Sequence, residues 1–232
     1  GGDSSAVQDQ LKGVLQIQAT SQVFAAMLED GSVVTWGDAR FDGDSSAVQH
    51  QLKGVQQIQS TGTAFAAILE DGSVVTWGNE HFGGDSSAVR DQLKGVQQIQ
   101  ATSQAFAAIL EDGSVVTWGD AHEGGDSSAV QDQLRGVQQI QATSTAFAAI
   151  LDNGSVLTWG NARFGGDSSA VRDQLKGVLQ IQAAKRGGAF AAILQDGSVV
   201  TWGLADSSAV RDQLKGVQQI QATSQAFAAI LE

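Results

Sequence analysis

Three short β-prone runs, separated by turn residues, make up the segment GVQQIQATSQAFAAILEDGSVVTWG at 95–119. The middle run, 105–110, is apolar almost throughout, and this pattern predicts a strand that is buried on both faces. Asp112-Gly113 joins it to the run at 114–119. Asp-Gly between two such runs predicts a hairpin with a two-residue type I′ turn, whose central residues both need positive φ.

The run GVQQIQAT at 95–102 is a third candidate strand. Strict alternation places Val96 on the opposite side of this strand from Ile99. The segment DSSAVRDQLKG at 85–95 is a connector for which one to two turns of helix are expected, with Asp85 or a neighbouring Ser as the cap. We therefore expect three or four short strands and a connector in each unit.

The same pattern recurs along the chain. Trp residues follow one another at steps of 41, 41, 41 and 43 positions, at Trp36, Trp77, Trp118, Trp159 and Trp202. Short strands repeating about every 41 residues, each unit closing on Trp-Gly, predict an all-β, β-propeller-like array of about six repeats in a single domain at 1–232. A β-solenoid is the alternative. The predicted units are about 1–37, 38–78, 79–119, 120–160, 161–203 and 204–232.

The last repeat is incomplete, because the chain ends at Glu232 where Asp-Gly and the third strand would follow. An unpaired strand edge is a feature that proteins usually avoid. Three interpretations stay open: a modified closure of the array, self-association through the incomplete repeat, or a piece cut from a longer array.

Composition excludes several classes of function. The net charge of −12 and the absence of Lys/Arg clusters argue against nucleic-acid binding. With no Cys there are no disulfides or thiolate sites, and no apolar run is long enough to span a membrane. No signal peptide is visible, so localisation stays open with an intracellular setting slightly favoured.

The segment 95–119 resembles the repeat of the regulator of chromosome condensation (RCC1-like) superfamily, which runs from Gly-Val through an apolar strand and Asp-Gly to a Val-rich strand ending in Trp-Gly. The likeness covers essentially every copy. It implies a propeller, commonly seven-bladed, that serves as a protein-binding platform. This chain has too few units for seven blades, and no contact residue of the family can be mapped onto it.

Catalytic chemistry is not expected, and no cofactor or metal is expected either. Acid–base and metal sites need different side chains close together, whereas identical repeats place identical side chains far apart around the array. The five Trp residues are expected to fill the blade core, with sugar stacking as the alternative. Each Asp-Ser-Ser supplies one carboxylate without an Asp-x-Asp partner, so turn or cap formation is favoured over calcium binding.

Specificity is therefore expected in the positions that vary. The loops after Trp-Gly predict a partner-binding rim formed by Arg40, Phe41, His81, Phe82, His122, Glu123, Arg163 and Phe164. The two-residue insertion around Lys185 and Arg186 predicts a contact loop for an acidic partner. The leading hypothesis is a non-catalytic scaffold for an unidentified protein partner. A multivalent carbohydrate-binding propeller and a structural repeat without a ligand are the alternatives.

Overall fold

The computed structural model describes residues 2–38, 44–205 and 213–231. Within these residues the strands form five three-stranded antiparallel sheets and one two-stranded sheet, each built from strands consecutive in the chain. The strands of sheets 1–3 are β1 (Val14–Ala19), β2 (Val23–Leu28), β3 (Val33–Gly37), β4 (Val55–Ser60), β5 (Ala64–Leu69), β6 (Val74–Gly78), β7 (Val96–Ala101), β8 (Ala105–Leu110) and β9 (Val115–Gly119). Those of sheets 4–6 are β10 (Val137–Ala142), β11 (Ala146–Leu151), β12 (Val156–Gly160), β13 (Val178–Ala184), β14 (Ala189–Leu194), β15 (Val199–Gly203), β16 (Val217–Ala222) and β17 (Phe227–Leu231).

Short 3₁₀ helices lie before the first sheet and in the connections between sheets. They are Gln8–Gln10, Glu80–Phe82, Ser87–Val89, Ala121–Glu123, Gln131–Gln133, Ala162–Phe164 and Ser169–Gln174. The expected one to two turns of connector helix are therefore 3₁₀ rather than α-helical. Among the described residues, none of the helices has the length and apolarity needed to cross a bilayer.

The chain forms two compact units. The first comprises residues 1–111 and 116–121, and the second comprises residues 112–115 and 122–232. Strands β1 to β8 belong to the first unit and β10 to β17 to the second, while β9 begins in the second and continues in the first.

The second strand of each inner sheet is buried on both faces, as its apolar sequence predicts. In β5, Ala64 and Ala66 pack towards the next sheet, with Leu93 and Ile99, while Phe65 packs towards the preceding sheet. In the second unit Phe190 likewise packs in one cluster with sheet 4 while its neighbours in β14 contribute to a cluster with sheet 6. The alternation of these side chains thus makes one strand part of two cores.

The prediction that side chains alternate strictly between the two faces of each first strand was wrong. Val96 pairs with Leu110 but Gln98 pairs with Ile109, so Gln97 is an extra residue in a β-bulge. The bulge shifts the side-chain period by one position and returns Val96 to the buried side that Ile99 occupies. An exposed Gln follows a buried Val because of this extra residue.

The predicted type I′ turn is also wrong in detail. In sheet 2, Ile68 pairs with Val74, and the Gly72 amide donates to the Leu69 carbonyl at 2.9 Å. The turn is therefore centred one residue earlier than a two-residue Asp-Gly hairpin would place it. Gly72 follows it with φ +75°, and a Cβ there would lie 2.9 Å from the Cα of Gly95 in the next sheet. Glycine is required both by the backbone conformation and by this close approach.

The Asp of each hairpin holds the turn through its side chain. Asp71 Oδ1 accepts hydrogen bonds from the Ser73 backbone amide at 2.9 Å and from the Ser73 hydroxyl at 2.6 Å. The hydroxyl first, and the amide second, hold the pKa of Asp71 below its ordinary value of 3.8. In the fourth hairpin the neutral Asn153 accepts the same two bonds from Ser155.

Backbone hydrogen bonds join each sheet to the next at both ends within the two units. At the hairpin end, the Val96 amide donates to the Gly72 carbonyl at 2.9 Å. At the opposite end, the loop between the first and second strands donates to the same loop of the next sheet, as Gly62 does to Ser103 at 2.7 Å. Together with the apolar faces, these bonds form a joint that recurs from sheet to sheet.

The hairpin carboxylates predict a specific loss of stability in acid. Their folded pKa values lie below the unfolded ones, so their stabilising contribution is present above the ordinary value of 3.8 and is lost as the pH falls through the folded pKa values. Replacing them with Asn, which Asn153 shows to be compatible with the turn, should flatten the dependence of melting temperature on acidic pH. The substitutions are Asp30→Asn, Asp71→Asn, Asp112→Asn and Asp196→Asn.

Thermal unfolding followed by circular dichroism between neutral pH and pH 3 checks this expectation. A control with the same change in net charge carries Asn at four exposed connector carboxylates, Asp9, Asp91, Asp132 and Asp173. An equal flattening in the control would contradict a specific role for the hairpin hydrogen bonds.

Candidate functional site

Each Trp of the repeat stacks on the Phe that faces it across the second and third strands. The ring centroids of Phe65 and Trp77 lie 5.0 Å apart, and the other four pairs have separations of 5.2–5.3 Å. Trp77, Trp118, Trp159 and Trp202 are buried, while Trp36 is half-buried. The covered rings offer no stacking surface to a sugar.

Three of the indole N–H groups also hold the loop that follows the Trp-Gly of the preceding sheet. Trp118 Nε1 donates to the Gly83 carbonyl, Trp159 Nε1 to the Gly124 carbonyl and Trp202 Nε1 to the Gly165 carbonyl, each at 3.1 Å. These glycines lie in the segments that follow Trp-Gly, which we call the post-Trp loops: 79–84, 120–125 and 161–166. The constant residues therefore position the variable ones.

Two of the post-Trp loops, 79–84 and 161–166, are short turns capped by an Asn side chain. Asn79 Oδ1 accepts from the His81 amide at 3.1 Å, and Asn161 Oδ1 accepts from the Arg163 amide at 3.2 Å. These caps leave His81 and Arg163 exposed, with 78 % of the His81 side chain accessible. The turn presents one polar side chain to solvent and directs the next side chain inward.

The inward residue is Phe in two of the three described loops. Phe82 and Phe164 are half-buried, and their carbonyls accept hydrogen bonds at 3.2 Å from the hydroxyls of Thr61 and Thr143. At the start of these loops the Asn79 amide donates to the Thr63 carbonyl at 3.0 Å and the Asn161 amide to the Thr145 carbonyl at 2.9 Å, so both ends of each loop are fixed to the sheet edge. A surface anchored in this way loses little conformational entropy when it binds.

The insertion at 183–188 lies at the same end of the sheets as the post-Trp loops. The Lys185 carbonyl accepts from both the amide and the hydroxyl of Ser144, each at 2.9 Å, and the Gly187 amide donates to the Ser224 carbonyl at 2.6 Å. The two added residues thus preserve both joints while Lys185 and Arg186 stay exposed.

The insertion and one post-Trp loop meet at Gly188. A Cβ on Gly188 would lie 2.5 Å from Phe164 Cδ1, so the Phe164 ring lies directly against the glycine backbone. The Arg163 guanidinium lies over the same ring, with Cζ 5.8 Å from its centroid. We call Arg163, Phe164, Lys185 and Arg186 the cationic–aromatic patch.

The patch carries three cationic residues on two contacting segments of a chain whose net charge is −12. Within the described part of the chain, none of its three cations is paired with a carboxylate. Exposed, unpaired guanidinium and ammonium groups beside an aromatic ring are suited to carboxylate-bearing ligands.

The remaining predicted rim residues are distributed differently. Arg40 and Phe41 lie outside the described residues. His122 is exposed and Glu123 is half-buried, on the loop at 120–125. His81 Nε2 lies 3.5 Å from its neighbour Glu80 Oε1.

Asp-Ser-Ser forms turns that attach the connector to the sheet. Asp85 Oδ1 accepts from the Ser87 amide at 2.8 Å, and the Ser86 hydroxyl lies 3.0 Å from that of Thr76 in β6. Among the described residues, no group of three or more His, Asp or Glu side chains is arranged to hold a metal ion.

Sequence reasoning identified Phe164 and Lys185 separately and missed their proximity through Gly188. The signal available was Gly187-Gly188 itself, since paired glycines within an insertion indicate close backbone packing. What they pack against depends on the fold of a distant segment.

Several solved structures are similar to this chain in fold. The CRINKLY WD40 ectodomain of the receptor kinase ACR4 from Arabidopsis thaliana gives a TM-score of 0.58 at 17 % identity, over 94 % of this chain and 77 % of that one. Human WBSCR16 gives 0.57 at 16 % identity, over 94 % and 67 %. Prp20p from Saccharomyces cerevisiae, yeast RCC1, gives 0.53 at 16 % identity, over 94 % and 63 %.

No protein-family model and no curated protein sequence matches the chain. The structural likeness and the repeated sheets confirm the predicted fold, an all-β, RCC1-like repeat β-propeller. At these identities the likeness establishes the fold alone.

The contact between Gly188 and Phe164 yields a direct prediction for the patch. Gly188→Ala should lower the free energy of unfolding by about 1–3 kcal/mol, since alanine is strained at φ +57° and its methyl group would displace the Phe164 ring. Chemical denaturation measures the loss. Gly2→Ala is the control, because nothing lies within 4 Å of a Cβ there. Equal stability of the two variants would contradict the packing described.

Proposed function

We propose that this RCC1-like propeller is a non-catalytic scaffold that binds an acidic segment of a partner protein through the cationic–aromatic patch. The observation that carries the proposal is the contact of Phe164, with Arg163 over its ring, against Gly188 of the insertion that bears the exposed Lys185 and Arg186. These four residues come from two chain segments that vary between repeats, and they meet on an otherwise constant framework.

The chemistry of the patch favours a peptide with carboxylates beside an apolar residue. Arg163 can donate two parallel hydrogen bonds to one carboxylate, while Lys185 and Arg186 supply further charge. The exposed part of Phe164 offers an apolar contact beside the Arg163 guanidinium. Aromatic residues and Arg are enriched at protein interfaces because they combine contact area with directed hydrogen bonds.

The structural relatives support protein binding in general. Prp20p has binding properties towards Gsp1p and histones, and yeast RCC1 (Prp20) also binds Kap60. These partners belong to those proteins. For this chain the relatives favour a protein ligand, and the charge of the patch favours an acidic one.

We also propose the other post-Trp loops as contact surfaces of the same scaffold. His81 with Phe82, and His122 with Glu123, occupy the positions that correspond to Arg163 and Phe164. Their different side chains would let one framework discriminate between partners. Arg40 and Phe41 belong to the same set by sequence position.

The carbohydrate-binding alternative is less favoured, since it relied on the tryptophans as stacking sites. Four of the five are buried against Phe rings, and three of them donate their N–H to a backbone carbonyl. A sugar would have to bind to the variable loops instead.

The test is selection of peptides from a random display library on the immobilised wild-type chain, followed by calorimetry on the selected peptides. We expect enrichment of Asp and Glu, and binding that weakens as salt rises. The triple variant Arg163→Glu, Lys185→Glu, Arg186→Glu should raise Kd by about tenfold or more. Its melting temperature should stay near that of the wild type, since all three side chains are exposed.

The matched control is Lys12→Glu, Lys53→Glu, Lys94→Glu, which changes the net charge equally at exposed residues of the first unit. The control should alter Kd by less than about twofold, because long-range charge is screened by salt. Equal weakening by both variants, or selection of peptides without acidic residues, would refute the patch as the binding surface. Binding to a glycan array in place of peptides would support the carbohydrate alternative.

A further inference from the structure

Two sheet faces of the chain are uncovered, and the same repeat positions are buried elsewhere. On β1 in the first unit, Ile17 is 53 % exposed, whereas its counterpart Ile58 in β4 is 0 % exposed. On β17 in the second unit, Ile230 is 56 % exposed, whereas its counterpart Ile68 is 5 % exposed. Ile side chains that are exposed here, at repeat positions buried in the inner sheets, indicate a face that a further sheet would cover.

The two faces are complementary because they are the two halves of the recurring joint. In the first unit, Ile58 packs in one cluster with Ala25 and Met27 of the preceding sheet. Ala25 and Met27 stand at the repeat positions of Ala228 and Ile230. The face that carries Ile230 therefore corresponds to the face that covers Ile58 inside the chain. Ile17 occupies the same repeat position as Ile58.

The second unit repeats this arrangement. There Ala191 and Ile193 of β14 pack with Val217 and Ile220 of β16. The joint therefore has the same kinds of residue in both units. Ile193 occupies the repeat position of Ile230, and Ile220 occupies that of Ile17.

Backbone groups match as well. Along the loops at 20–22, 61–63 and their copies, the joints within each unit use an N–H from one sheet and a C=O from the next, as in Ser21 N–H to the Gly62 carbonyl at 2.9 Å. Within the described residues, the Ser224 N–H and the Ser21 C=O form no such bond. The face with Ile230 thus offers a donor, and the face with Ile17 offers an acceptor.

We infer that two copies of this chain associate head to tail, the β16–β17 sheet of one copy covering the β1–β3 sheet of the next. The contact buries Ile230 and Ala228 against Ile17 and Val14, and pairs the Ser224 N–H with the Ser21 C=O. It reproduces a joint that the chain already forms internally. The two surfaces differ, so the contact is heterologous and each copy has one of each.

The argument for a second copy over an unrelated partner is this continuity with the internal joint. Side-chain identities and backbone polarity on the two faces correspond to those that pair within the chain. An unrelated protein would need to reproduce both independently.

Light scattering coupled to size exclusion, from micromolar to millimolar chain, tests the assembly. The wild type should show a mass that rises with concentration above the 24.0 kDa of one chain. Ile17→Arg and Ile230→Arg should each stay at the mass of one chain, because each places an unpaired charge in the contact. An equimolar mixture of the two variants should form a complex of about twice that mass and no larger species, because each retains the face that the other lacks.

The matched control is Leu15→Arg, on the same strand as Ile17 and 63 % exposed. Its counterpart Leu179 in an internal sheet is also exposed, at 61 %, so this position lies outside the joint. Leu15→Arg should associate like the wild type, and circular dichroism confirms that every variant is folded. A constant 24.0 kDa for the wild type, dimers of either Ile variant alone, or a mixture that stays monomeric would each overturn the inference.

Discussion

Each sheet of this protein depends on a second strand that is apolar on both faces and lies between neighbouring sheets. In β5, Phe65 belongs to the core shared with the preceding sheet, and Ala66 belongs to the core shared with the following one. A single sheet with two apolar faces would leave both of them in contact with water, which is unfavourable. The sheets therefore stabilise one another.

This dependence separates the residues that form the packed core from those that are free to contact a binding partner. Trp118 stacks on Phe106 and anchors the Gly83 carbonyl, so the constant residues are engaged in packing. The side chains that vary lie on the post-Trp loops and on the insertion at 183–188. Because buried hydrogen bonds fix these loops, the scaffold can change its surface chemistry without changing its core.

Much of the fold could be predicted from sequence because the repeat specifies local structure strongly. The apolar run at 105–110 correctly indicated burial on both faces. The bulge at Gln97 and the shifted turn before Gly72 were missed, since both depend on the pairing register and on contact with the next sheet. The cationic–aromatic patch could not be assembled from sequence, because its two segments meet only after folding.

Hydrogen exchange at dilute chain concentration tests most directly whether the sheets hold one another. Joint amides such as Val96, which donates to the Gly72 carbonyl, should be strongly protected. Val14 is the corresponding amide of the first sheet, where no neighbouring sheet supplies the acceptor in the described residues, and it should exchange much faster. Equal protection of Val14 and Val96, or rapid exchange of both, would contradict stabilisation through the joints.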